Sequence, residues 1–135
     1  MQWIWIGIGG ALGSMVRYFL QNLVQVAHGG IFPMGTLAVN LIGSALIGFL
    51  AGVFESAPAY AHWRLFLMVG ILGGFTTFSS YSLENMNLIR SGHGRMAAAY
   101  LVSSNVLGIG MAFGGYFLAR SLLRILAPGA QGGVP

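Results

Sequence analysis

The chain has 135 residues, 56% of them hydrophobic and only 6% charged, with a mean hydropathy of +0.79. Soluble domains carry roughly 25% charged residues, so a soluble globular fold is excluded and an integral membrane protein is implied. The formal charge of +4 comes from six arginines, scattered singly, against Glu55 and Glu84. A clustered basic footprint for nucleic acid is therefore absent.

A bilayer core of roughly 30 Å needs about 20 apolar residues per helical span. Four stretches qualify: Trp3–Leu23, Met34–Phe54, Trp63 to about Ile89, and Met96 to about Leu118 or on to Leu126. The fold class predicted is all-α, a four-transmembrane-helix bundle in one domain, residues 1–126. The tail, residues 127–135, is rich in Gly and Pro and is expected to be disordered. The first span lacks a positive n-region and holds Arg17 deep inside it, which argues against a removable signal peptide. Trp3, Trp5 and Trp63 fall near span ends, where aromatic rings favour the headgroup layer.

Short linkers join the spans: Gln25–Pro33 with His28-Gly29-Gly30, Glu55–His62 with Pro58, and Arg90–Arg95 with Gly92 and Gly94. With four spans, Arg64, Arg120 and Arg124 share one side and Arg90 and Arg95 the other. Such a feeble positive-inside bias leaves two alternatives open: one weakly fixed orientation, or insertion both ways up with opposed copies pairing into an antiparallel homodimer.

Each span carries a small or polar stripe at helical spacing. The stripes are Gly10, Gly13, Ser14, Arg17 and Gln21; Thr36, Asn40, Gly43, Ser44 and Gly48; Thr77, Tyr81 and Glu84, with Phe78 beside them; and Tyr100, Ser103, Ser104 and Gly108. The pairs Gly9/Gly13, Gly48/Gly52 and Gly110/Gly114 are read as helix-packing sites. Arg17, Asn40 and Glu84 call for more, because an ionisable group at the centre of a membrane helix costs at least about 2.5–3.5 kcal/mol and is paired, wet or functional. Arg17 has snorkelling as its ordinary explanation, Asn40 interhelical bonding, and Glu84 an ion pair with Arg17 or Arg90.

The third span contains the least helix-like stretch, Gly70-Ile-Leu-Gly-Gly-Phe-Thr-Thr-Phe-Ser-Ser-Tyr-Ser-Leu-Glu84. Gly73 and Gly74 weaken a helix, and the hydroxyls of Thr76, Thr77, Ser79 and Ser80 compete for backbone partners. Irregular backbone at membrane depth survives only where protein or a wet cavity meets it, so a broken helix at a functional site is predicted here. Ring edges are electropositive, and with amide and hydroxyl donors they suit a small dehydrated anion. Stripping water from a monovalent ion costs on the order of 20 kcal/mol by the Born estimate, so many weak donors must replace it. Binding must still be loose enough for release.

Gly73-Gly-Phe-Thr-Thr-Phe-Ser-Ser-Tyr-Ser-Leu-Glu84, Gly35-Thr-Leu-Ala-Val-Asn40-Leu-Ile-Gly43 and Gly10-Ala-Leu-Gly-Ser-Met-Val-Arg17-Tyr together resemble the Fluc (CrcB-type) fluoride channels, over all four spans in order. The resemblance implies an antiparallel, dual-topology homodimer in the bacterial inner membrane, with two pores that export cytoplasmic fluoride passively. It implies a structural sodium ion at the dimer centre, held by backbone carbonyls of Gly73 and Thr76 from both copies. Phe78 and Tyr81 match the two pore aromatics, the second a phenylalanine in the family pattern. Asn40 matches the pore amide, and Arg17 the vestibule arginine. Thr36, Glu84, Tyr100 and Ser104 match further polar positions along the path, while Gly108 and Ala112 stand where polar residues extend it.

Two other classes compete. A small multidrug-type, proton-coupled exporter of cations would use an acid early in the chain, where Arg17 stands instead. A non-transporting membrane scaffold is the third. An enzyme is not expected, because no nucleophile–base pair, metal-ligand cluster or phosphate loop stands out.

Overall fold

In a computed structural model, residues 2–55 and 61–126 are described. The expected turn at Pro58 and the expected disordered tail lie outside these residues. The described chain is all helical, with four helical stretches long and apolar enough to cross a membrane and no strand among the described residues. Helix α1 covers Gln2–His28 and α2 Met34–Glu55. The third stretch is assembled from α3 (Ala61–Arg64), a π-helical segment (Leu65–Ile71), α4 (Leu72–Phe75) and α5 (Phe78–Arg90). The long α6 runs unbroken over Gly94–Leu126, about 50 Å at 1.5 Å per residue. It follows the longer of the two expected ends, Leu126 rather than Leu118, and carries Arg120 and Arg124 beyond the apolar centre.

The turns are closed by local bonds. At the end of α1, Gly29 takes φ 65°, a left-handed conformation that only glycine adopts freely. Gln25 then ties the loop down. Its Nε2 donates to Gly30 O (2.9 Å) and Phe32 O (3.2 Å), and its Oε1 accepts the Gly35 N–H at 3.1 Å, at the start of α2. Between α5 and α6, Gly92 takes φ 81°, and the N–H groups of Ser91, Gly92 and His93 return to Asn87, Ile89 and Leu88 carbonyls. These bonds satisfy orphan carbonyls at the end of α5.

Two close helix pairs make the bundle. Helix α2 packs along α6, and α1 packs along the π-helical segment and α4. Both contacts run through glycines that let backbones touch. A Cβ on Gly9 would sit 2.9 Å from Phe66 O and 3.0 Å from the Gly70 Cα. One on Gly48 would collide with Ala112 O, and one on Gly115 with Ala45 O. Gly9/Gly13 and Gly48/Gly52 are thus packing sites, as their spacing predicts. Gly110 and Gly114 are not packed against any described residue, for a Cβ there would meet nothing within 4 Å.

The core is small and the outside greasy. One cluster holds Leu37, Tyr81, Leu88, Ala97 and Tyr100, and a second Val39, Leu72 and Phe75. Meanwhile Trp3, Phe19, Phe113 and Ile125 lie largely exposed. An apolar exterior is what a lipid solvent requires.

Candidate functional site: a donor-lined cavity in the third span

Between α4 and α5, Thr76 (φ −85°, ψ 151°) and Thr77 (φ −140°, ψ 101°) are extended. Glycines on one side and two β-branched residues on the other make helix weakest here. The neighbouring helices take over the partners that a continuous helix would supply. The Thr77 N–H, four residues after Gly73, is donated to Asn40 Oδ1 on α2 at 3.1 Å. The Gly74 carbonyl accepts from Ser14 Oγ and Arg17 Nε on α1, each at 3.3 Å. Thr76 closes α4, its N–H and Oγ1 both returning to Leu72 O at 3.0 Å. On the far side, the first amides of α5 have no carbonyl one turn behind them, which makes that end electropositive.

A cavity of about 320 Å³ opens beside this linker, lined by Asn40, Gly43, Ser44, Ile47, Thr76, Thr77, Phe78, Tyr81, Ser104 and Asn105. No ionised side chain is in that lining. Gly43 makes room for the linker, since a Cβ there would strike the Thr76 methyl group and the Phe75 ring. The hydroxyl oxygens of Thr77 and Ser104 are buried and have no hydrogen-bond partner among the described residues. A buried unpaired hydroxyl costs about 1–3 kcal/mol, so these two are poised for something that arrives. The Phe78 ring is 81% exposed on the single chain, and its centroid lies 5.8 Å from that of Tyr81. Tyr81 is buried and touches Tyr100 in turn, centroid to centroid at 5.1 Å.

One step along α5, a second polar set surrounds Glu84. Thr36 Oγ1 donates to its Oε1 at 2.6 Å, and the Tyr100 hydroxyl to its Oε2 at 2.7 Å. Thr36 and Tyr100 are fully buried. The expected ion pair with Arg17 or Arg90 is not what holds Glu84. Two neutral hydroxyls from α2 and α6 do, while Arg17, half-buried on α1, serves the Gly74 carbonyl.

Asn40, Thr76, Phe78, Tyr81 and Ser104 therefore meet at one cavity. Thr36, Glu84 and Tyr100 form a connected set beside it, and Arg17 braces the linker from the other side. Gly73 does not line the cavity; it is exposed on the same outward side as Thr76. Sequence reasoning missed Asn105, whose Nδ2 donates to the Tyr81 hydroxyl at 3.1 Å. It also missed Asn85, buried on α5 with its Nδ2 bonded to Tyr81 O at 2.9 Å. The available signal was a pair of amides directly following Glu84 and Ser104 within apolar spans.

Fold and site define a multi-pass helical membrane protein with a polar, uncharged cavity at an irregular turn. The sequence model of the CrcB-like proteins (Camphor Resistance, CrcB) matches residues 4–116. The chain belongs to this family. It is 45% identical to the "Fluoride-specific ion channel FluC" of Aquifex aeolicus, over 87% of this chain and 95% of that one. It is 44% identical to the protein of that name from Thermus thermophilus, over 90% and 98%. For "Fluoride-specific ion channel FluC 1" of Streptomyces avermitilis, identity is 36% over the same shares of the two chains.

Proposed function

We propose that this protein is a fluoride-specific ion channel of a bacterial inner membrane, through which cytoplasmic fluoride leaves passively. The observation that carries the proposal is the cavity at Thr76–Thr77, where an amide, hydroxyls, ring edges and a helix N-terminus converge with no ionised group in the lining. Family membership and the names of the relatives point the same way. Asn40, Phe78, Tyr81 and Ser104 form the path, with the Thr36–Glu84–Tyr100 set at its side and Arg17 toward a vestibule. Neutral donors attract a dehydrated anion, yet none holds it with a full charge, which favours release. Glu84 is engaged by two hydroxyls, which leaves little basis for an acid-driven exporter of cations.

The working unit is an antiparallel homodimer joined at a broken third helix, with two pores. Supporting this, Phe78, Gly73 and Thr76 are exposed on the single chain despite lying mid-span, where a second copy would cover them. The residues also fit the sodium ion that the family resemblance implies. The Gly73 carbonyl loses its helical donor because the Thr77 N–H goes to Asn40, and Thr76 is extended beside it. Neutral oxygens suit a hard monovalent cation. Gly73 and Thr76 of two copies would hold it, and it would supply a fixed positive charge at the dimer centre.

The test is fluoride efflux from liposomes containing purified protein, with the membrane potential shunted. Fluoride should leak and chloride should not, and the leak should fall when sodium is withheld throughout purification. Efflux no faster than from protein-free vesicles would exclude the channel.

A further inference from the structure

Tyr81 stands where the family pattern has a phenylalanine, and its hydroxyl has a partner that fixes the direction of its proton. Asn105 Nδ2 donates to Leu101 O at 2.8 Å and faces the Tyr81 oxygen at 3.1 Å. A backbone carbonyl can only accept, so the atom facing Leu101 is the amide NH2 and not the amide oxygen. That group has two hydrogens, one for each neighbour. The Tyr81 oxygen is thereby the acceptor of the pair, and its own proton must point elsewhere. No described residue accepts it, and Tyr81 and Asn105 both line the cavity, together with the unpaired Ser104 and Thr77 hydroxyls.

The geometry points to Asn105 as a positioning residue that turns the Tyr81 O–H into the cavity, making that hydroxyl a hydrogen-bond donor to a dehydrated halide in passage. This rests on the fluoride-channel assignment above and deepens it. A phenylalanine offers an anion only its ring edge, whereas a phenol adds a polar donor, and a hydrogen bond to an ionised acceptor is about twice as strong as a neutral one. Fluoride, the smallest halide and the strongest acceptor among them, gains most. Asn105 itself is exposed on the single chain, an amide in the middle third of a membrane helix. Such a group needs protein or water beside it rather than lipid. Plain interhelical bonding between α5 and α6 is the competing explanation. It predicts loss of stability alone, with no dependence on the phenol's proton.

The experiment measures initial fluoride efflux from liposomes against internal fluoride for wild type, Tyr81→Phe, Asn105→Val and the double variant, each first shown to elute as wild type on size exclusion. Tyr81→Phe should raise the half-saturating fluoride concentration at least about tenfold, the ratio that one hydrogen bond of about 1.5 kcal/mol to an ionised acceptor represents. Asn105→Val should raise it at least about twofold when Tyr81 is present and add nothing in the Tyr81→Phe background. Should Asn105→Val not fold, Asn105→Ser, too short to reach the phenol, replaces it. An unchanged or lower half-saturating concentration in Tyr81→Phe overturns the donor role. An Asn105 effect of equal size in both backgrounds overturns the positioning role. A wild type with no efflux above empty vesicles sinks the channel assignment and this inference with it, whereas a conducting wild type with silent variants sinks the inference alone.

Discussion

Asn40 does two things with one side chain. Its Oδ1 holds the Thr77 N–H at 3.1 Å, and the rest of its amide faces the cavity. Asn40→Asp separates the two roles, because a carboxylate oxygen still accepts that N–H while adding negative charge to the wall. Two like charges about 4 Å apart repel by about 4 kcal/mol at an effective dielectric of 20, and each 1.4 kcal/mol is a factor of ten. Fluoride flux through liposome-reconstituted Asn40→Asp should therefore fall at least about tenfold, with the protein still monodisperse in detergent. Flux equal to wild type would remove Asn40 from the path. Asn40, Phe78, Tyr81 and Ser104 were legible in the sequence because each lies on a polar or aromatic stripe at helical spacing within an apolar span. Asn105 was not, because it stands one residue off the α6 stripe, about 100° around the helix. Only the reach of the Tyr81 side chain brings it in. The partners of Glu84 were hidden for a different reason. They come from α2 and α6, and no spacing within one span tells which hydroxyls another span will deliver.

At the scale of the elements, α2 and α6 are held at backbone contact by Gly48, Gly52 and Gly115. A side chain on Gly48 would have to displace the Ala112 carbonyl, which is fixed by its own helix. Gly48→Val should accordingly destabilise the protein by about 1–3 kcal/mol, the usual range for overpacking. A drop in the thermal midpoint, followed by size exclusion in detergent, would read this out. Gly94→Ala is the control: it faces open space at the start of α6 and should leave the midpoint unchanged or slightly raised. Three Gly-xxx-Gly pairs look alike in the sequence, yet two join helices and Gly110/Gly114 meets nothing among the described residues. The motif states that a close approach is possible, but the face it lies on is decided by the rest of the bundle. The extended Thr76–Thr77 linker could be anticipated from paired glycines and threonines. The π-helical segment could not, because Leu65–Ile71 is ordinary apolar sequence, with nothing in it that marks a widened turn against α1.

For the whole molecule, charge is the coarse variable. Arg64, Arg120 and Arg124 oppose Arg90 and Arg95 across the bundle, so a few added cations should decide which way a copy inserts. Three lysines appended at the N-terminus should force one orientation and abolish fluoride efflux. Three lysines placed in the α5–α6 loop instead should force the other and abolish it equally. Co-expression of the two should restore efflux. Full efflux from either biased copy alone would mean that opposed insertion is not required. The four spans were plain from hydropathy alone, because lipid demands apolar length, whereas whether copies pair is a matter of surface shape that hydropathy does not contain.

The widened turn in the third span has a genetic corollary. There the Leu72 N–H reaches back to Leu67 O, five residues rather than four, so the segment accommodates roughly one residue more per turn than an α-helix. Deleting a single codon from it would let the turn tighten to an α-helix, absorbing the loss locally so that side chains upstream and downstream keep their faces, whereas the same deletion in α2 would swing one half by about 100° against the other. Gly9 would then still meet the upstream half of the span, and Gly74 would keep its place against Gly10. Such a shortening would pass unnoticed in a plot of apolar character, and the outer half of the span would stay coupled to the half that carries the two threonines.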